Sequence, residues 1–150
     1  MAFMNNESGT YAANIVQDAA GAPVMDAAFK QIYDKFAQRI CWIDGQVVPG
    51  SFQMNTSWYH STPAIDPIFA EHSHPGAEIL GFFGTDSENP SELDADIEVI
   101  IDGEAHSVTR STLVFFPPNV PHALRILRVG KPIFHFSVVT DGTYNGAAYK

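Results

Sequence analysis

Cysteine, positive charge and long apolar runs are what this chain has least of. Its single cysteine, Cys41, in 150 residues has no partner for an intramolecular disulfide and no paired spacing for a zinc knuckle or redox dithiol, so the expectation is a buried apolar thiol. Eight Lys and Arg against 17 Asp and Glu give a formal charge of −9. Phosphate-bearing partners would be repelled at long range, which argues against nucleic acid and anionic membranes as partners. No apolar run approaches the length that spans a bilayer, and the opening MAFMNNESGTYAAN has neither the basic nor the apolar region of a secretory leader. A soluble, cytoplasmic protein is expected. A Gly-rich phosphate loop, a dinucleotide fingerprint and a nucleophile-and-base arrangement are also missing.

What is present supports a packed core. Hydrophobic residues make up 45% of the chain, aromatics 12% and charged residues only 17%, enough to bury one domain of this length. The acid-rich stretch from Asp86 to Glu104 carries no basic residue and reads as a solvated loop and hairpin surface. Neither an internal repeat nor a low-complexity linker divides the chain. One domain over residues 1–150 is expected, with an N-terminal arm and helix over 1–49 and a barrel over 50–140.

Residues 1 to about 24 are Ala-, Asn- and Gly-rich with weak periodicity. From Asp26, a plausible N-cap, Phe29, Ile32, Tyr33, Phe36 and Ile40 recur at helical spacing, predicting one helix over 27–39. The text then changes period. CWIDGQVVPG, SFQMNTSWYH, EILGFFG, DIEVII, EAHSVT, STLVFF, ALRILRV and PIFHFSVVT are short, β-prone and separated by turn chemistry. Asp102-Gly103 is a hairpin signal, because a two-residue primed turn needs positive φ. Gly130-Lys131 before Pro132 marks another reversal. Many short strands with one helix imply an all-β chain, an antiparallel sandwich or barrel. Leu113-Val114-Phe115-Phe116 is apolar in both phases, as for a strand between the interior and an outer helix or partner subunit, so a homodimer is expected.

The stretch EHSHPGAEILGFFG carries the chemistry. Residues two apart on an extended chain share a face, so His72 and His74 can grip one ion together, and the bend at Pro75-Gly76 can bring Glu78 to the same interior. In FFPPNVPHALRI a Pro-Pro-Asn turn ends one strand and His122 opens the next. Three imidazoles and one carboxylate suit Fe, Mn, Zn or Ni. Four protein ligands on an octahedral ion leave two positions open for water, oxygen or substrate.

These residues resemble the two motifs of the cupin family. His72-x-His74-x-x-x-Glu78 matches the ligand portion of the first motif at the family's spacing, and Gly84 falls one residue short of its glycine. In the second motif, Pro117 and His122 stand at the proline and histidine positions. Ser111 and Asn119 replace the usual glycines, and Ile126 a common asparagine. Asn tolerates the left-handed conformation better than most residues. The resemblance covers roughly residues 50 to 140, and the loop between motifs is longer than the family minimum. It implies a jelly-roll barrel around a metal held by His72, His74, Glu78 and His122. That fold is shared by dioxygenases, decarboxylases, isomerases, epimerases, polyketide cyclases, lyases and non-enzymatic binding proteins.

Other residues are weighed by pleat phase. Leu80 and Phe82 share phase with Glu78, and Leu124 with His122, as candidate walls of a substrate pocket. Glu78 and His60 are the candidate acid or base groups. His135 faces opposite to Phe134 and Phe136, His106 reads as solvent-facing, and Arg125 and Arg128 are candidate anchors for a substrate carboxylate, although Arg125 is out of step with Leu124. The expected activity is metal-dependent conversion of a small oxygen-rich molecule, an enol, a phenol or a polyketide-like acid, with oxidative cleavage by a dioxygenase leading. Lewis-acid lyase, isomerase or cyclase chemistry is the first alternative, and a ligand-binding or sensor cupin the second.

Overall fold

The computed structural model describes residues 9–141. Asp26 caps helix α1 (Ala27–Phe36), its carboxylate accepting from the backbone N–H groups of Ala28 and Phe29. The helix ends three residues earlier than its periodicity predicts, and Ile40 belongs to strand β1 (Ala37–Ile43). β-prone RICWI finds a partner in β2 (Gln53–Tyr59), and a hydrogen-bonded ladder outweighs a weak helical pattern. The barrel therefore begins before residue 50. Eight further strands follow β1: after β2 come β3 (Phe69–His72), β4 (Glu78–Phe83), β5 (Glu92–Ile101), β6 (Glu104–Arg110), β7 (Thr112–Phe116), β8 (His122–Val129) and β9 (Ile133–Val139).

The strands form two antiparallel sheets in the orders β1-β2-β9-β4-β7 and β3-β8-β5-β6. From β2 to β9 the chain crosses between sheets at every connection except the β5–β6 hairpin. With β1 set aside as an added edge, two four-stranded sheets in this order form a jelly roll. The Asp102-Gly103 turn has φ of 49° and 82°, the primed geometry its sequence predicts. The sheets share one core, to which one contributes Leu80, Phe82 and Phe116, the other Ile97, Val99 and Leu124, and α1 adds Tyr33 and Phe36. Within the acid-rich stretch, Leu93, Ala95, Ile97 and Val99 alternate inward. The intervening carboxylates stay outside, where Asp94 and Asp96 bind Arg128 and Glu98 binds Arg125.

Two expectations change. Cys41 is half-buried because the bulge between Arg39 and Cys41 gives the buried position to Trp42. The helix does not cover β7: α1 packs on β1, and Leu113 and Phe115 on the outer face of β7 are exposed. No helix among the described residues is long and apolar enough to cross a membrane.

Gly84, where β4 leaves the sheet, sits so close to the next strand that a Cβ would lie 1.8 Å from the Glu92 carbonyl oxygen. Since backbone cannot swing aside as a side-chain tip can, Gly84→Ala should lower stability by about 2 kcal/mol or more in urea unfolding. Gly50→Ala meets open space but is strained by its φ of 88°, so its cost measures backbone strain without a clash.

Candidate metal centre

The site starts from a strand register. His72, the last residue of β3, pairs directly with His122, the first of β8. Pleating sends both rings to the same inner face, with centroids 4.5 Å apart. His74 lies just beyond β3, its ring 5.0 Å from that of His122. Glu78 opens β4 in the opposite sheet. Its Oε1 lies 3.4 Å from Nε2 of His122 and its Oε2 3.8 Å from Nε2 of His74. The four residues singled out by the sequence therefore meet, although they come from both sheets. The second-motif turn is tied to the first: Asn119, in the left-handed region at φ 62°, donates its N–H to the His74 carbonyl at 2.8 Å. Ser111 accepts from the Gly84 N–H and donates to the Pro90 carbonyl, and Ile126 is core.

Backbone carbonyls aim all three rings. Nδ1–H of His72 donates to Ala70 at 2.8 Å, that of His74 to Gly76 at 2.8 Å, and that of His122 to Val120 at 2.9 Å. With the proton on Nδ1, the lone pair is on Nε2. Nε2 of His74 and of His122 are buried without a hydrogen-bond partner, an arrangement that costs free energy unless something else occupies those lone pairs. Ligand atoms of the three histidines lie within 4.8 Å of one another. Three nitrogen donors, one carboxylate and orphaned lone pairs converging on one point fit a divalent cation.

The charges agree with that fit. Burial pushes the Glu78 pKa up, but without an ion the protonated imidazoles of His122 and His74 outweigh it and bring the pKa down to about 2, so the carboxylate is ionised, and a cation would take the place of those protons. Burial holds His72 below the ordinary histidine value, while Glu78 raises His74. Phe116 stacks on the His122 ring at 4.1 Å and shields it.

A cavity of about 640 Å³, open mouth included, adjoins the ligands and is lined by His72, Glu78 and His122 on that side. Leu80 and Leu124 line it as expected from their phase. Phe82 does not; it is fully buried, its ring stacked on His135. His60 is exposed just past the end of β2, because the inward phase of that strand belongs to Gln53, Asn55, Ser57 and Tyr59. It does not line the cavity and has no position there as acid or base. Arg125 and Arg128 are bound to outer carboxylates and are not cavity groups. His106 is exposed beside Glu104.

No family model and no curated protein matches the sequence. Among solved structures, the chain is similar to an RmlC-like cupin from Shewanella frigidimarina at 16% identity, over 69% of this chain and 74% of that one, with a TM-score of 0.38. It is similar to oxalate oxidase in complex with glycolate at 14% identity, over 71% and 51%, with a TM-score of 0.46. A chain from crystal structures of DMSP lyases is 13% identical over 61% and 39%, with a TM-score of 0.40. The chain thus spans about half the length of the oxidase and less of the lyase. Strand order, rather than these scores, carries the fold assignment: a β2-β9-β4-β7 sheet faces a β3-β8-β5-β6 sheet, with histidines of the β3 and β8 region opposite a glutamate on β4.

The fold is a jelly roll, the fold class of the cupins the sequence resembles.

Sequence reasoning missed part of the cavity wall: Gln53, Asn55, His135 and Ser137. A signal existed in QMNTSWY, whose alternate residues Gln53, Asn55 and Ser57 are polar in one phase, but hydrophobicity assigns the core to the other. His135 lies between Tyr59 and Phe82, with ring centroids 4.8 and 4.9 Å away, and its Nδ1–H donates to the Gly81 carbonyl at 3.0 Å. Burial presses its pKa down to about 4.

A histidine buried neutral stabilises the fold fully above its unfolded pKa near 6.5 and loses that contribution as pH falls toward 4. Metal-free protein should therefore lose on the order of 3 kcal/mol from this residue between pH 6.5 and 4. Thermal melts of wild type and His135→Phe across that range should show a steeper fall for wild type. Parallel curves would mean that His135 stays uncharged in the unfolded chain or charged in the fold.

Proposed function

We propose that this protein is a divalent-metal-dependent cupin enzyme acting on a small oxygen-rich organic molecule, with dioxygenase-type oxidative cleavage as the leading reaction. The observation that supports it is the pair of buried, partnerless Nε2 atoms on His74 and His122, facing Glu78 beside a cavity that opens to solvent. An Fe, Mn, Zn or Ni ion bound by His72, His74, Glu78 and His122 supplies Lewis acidity and, with a redox metal, access to oxygen chemistry. The protein's share is preorganisation. The three Nδ1–H bonds hold the donors in place before anything binds, and ionised Glu78 offsets one positive charge. Leu80, Leu124 and Phe116 present apolar surface beside the ligands, which strengthens electrostatic interactions by excluding water.

One observation favours a second reading, non-redox lyase, isomerase or cyclase chemistry. His135 is a neutral imidazole in the cavity wall, its Nδ1–H tied to a carbonyl and its Nε2 left as a proton acceptor.

Elemental analysis of purified protein should find close to one divalent ion per chain, and His74→Ala should weaken its retention by at least about tenfold. Equal metal content in the two proteins contradicts the assignment. An oxygen electrode then separates the reactions on a panel of phenolic and keto acids. Iron-loaded protein that consumes oxygen, with zinc-loaded protein inert, supports the leading reading. Anaerobic turnover with several divalent ions moves the assignment to the second, and ligand-dependent stabilisation without product makes the barrel a binding protein.

A further inference from the structure

One wall of the cavity breaks the usual rule for a barrel interior. On β2 and β9 the inward positions hold Gln53, Asn55, Ser57, His135 and Ser137 between the apolar Tyr59, Ile133 and Val139, while Met54 and Trp58 take the outward phase. Gln53 is only 2% exposed, yet its Oε1 has no hydrogen-bond partner while the residue lines the cavity. Such a group costs the fold free energy for nothing the protein itself returns.

Its neighbour has the complementary polarity. Arg39 Nε donates to Asn55 Oδ1 at 2.8 Å, and since a guanidinium only donates, this fixes which end of the amide is oxygen. Asn55 therefore presents its Nδ2, one hydrogen of which goes to Ser57 Oγ at 3.3 Å, leaving a second N–H. An unsatisfied acceptor and a spare donor sit two residues apart on one strand face. A hydroxyl group, donor and acceptor in one atom, answers both.

The wall faces the metal ligands across the sheet. Gln53 pairs with Val139, and Val139 with Glu78, so the two residues share a rung at two strand spacings, about 10 Å apart along the sheet. No lysine or arginine lines the cavity among the described residues, and Glu78 is its one carboxylate.

We infer that the β2–β9 wall, through Gln53 and Asn55, is a recognition subsite for substrate hydroxyls, so that the cavity takes a short hydroxylated monocarboxylic acid in preference to an apolar acid or a phosphorylated one. This rests on the metal reading above: an ion held by His72, His74, Glu78 and His122 would be the one cationic group in the cavity, so the single carboxylate of the acid belongs at that end. A second anionic group would meet amides with no cation to balance it, and an apolar tail would leave Gln53 unpaired.

The test uses zinc-loaded protein, which is redox-silent, and isothermal titration with three probes: D-gluconate, hexanoate and 6-phosphogluconate. Gluconate should bind at least about tenfold more tightly than either of the others. Gln53→Met, nearly equal in shape, should reduce the gluconate-to-hexanoate ratio by about fivefold or more, by weaker gluconate binding and hexanoate binding that is no weaker, with zinc content unchanged. The same variant, and Gln53→Leu as a second, should melt about 2–4 °C higher than wild type without ligand, because each removes a buried unpaired oxygen. Zinc uptake with equal affinity for gluconate and hexanoate, or tighter binding of 6-phosphogluconate, overturns the subsite and leaves the metal reading standing. Failure of wild type to take up zinc sinks both.

Discussion

The site depends on three hydrogen bonds from imidazole Nδ1–H groups to the backbone carbonyls of Ala70, Gly76 and Val120. They do more than hold rings still. Each commits its ring to one tautomer with Nε2 free of the backbone, and those of His74 and His122 face Glu78, buried without a hydrogen-bond partner. Because the acceptors are main-chain atoms within two residues of their histidines, local chain geometry preorganises the donors. The convergence itself comes from the register that sets His72 against His122.

That arrangement also spans the two sheets. His72 and His122 belong to one, and Glu78 to the other. The connection from β3 to β4 is the segment that carries His74, and the Asn119 N–H bond to the His74 carbonyl fastens it to the turn before β8. A jelly roll crosses between sheets at nearly every connection, so residues close in sequence can face one another across the core. Asn119 does here what glycine does in the related motif, adopting positive φ at small steric cost.

The cavity joins two kinds of chemistry. At one end, charge and lone pairs suit a cation; along β2 and β9, amides and a hydroxyl suit neutral polar groups, with apolar Leu80, Leu124 and Phe116 between. Holding Gln53 and His135 inside a barrel lowers stability relative to an apolar filling. A fold of this size, with nineteen buried hydrophobic residues among the described residues, can sustain such losses at a few positions.

Local signals in the sequence were read well where neighbours along the chain decide the outcome. The Asp26 cap, the Asp102-Gly103 turn and the alternation of Leu93, Ala95, Ile97 and Val99 need only short-range sterics and pleat geometry. The four candidate ligands were legible as a group because metal binding would demand particular side chains at particular spacing. Pleat phase correctly placed Leu80 and Leu124 at the cavity, but it could not separate Phe82, which the His135 ring covers, from a true wall residue.

By itself, then, the sequence determined most of the strands, the hairpin turn and the four candidate donors, since each follows from a residue's own conformational and chemical preferences. Only the tertiary structure decided that the helix would yield Ile40 to a strand, that His60 would end in solvent, and that Gln53, Asn55 and His135 would face the ligands. Those outcomes depend on which distant strand pairs with which, and burial of a polar residue becomes visible only once both sides of the space around it exist.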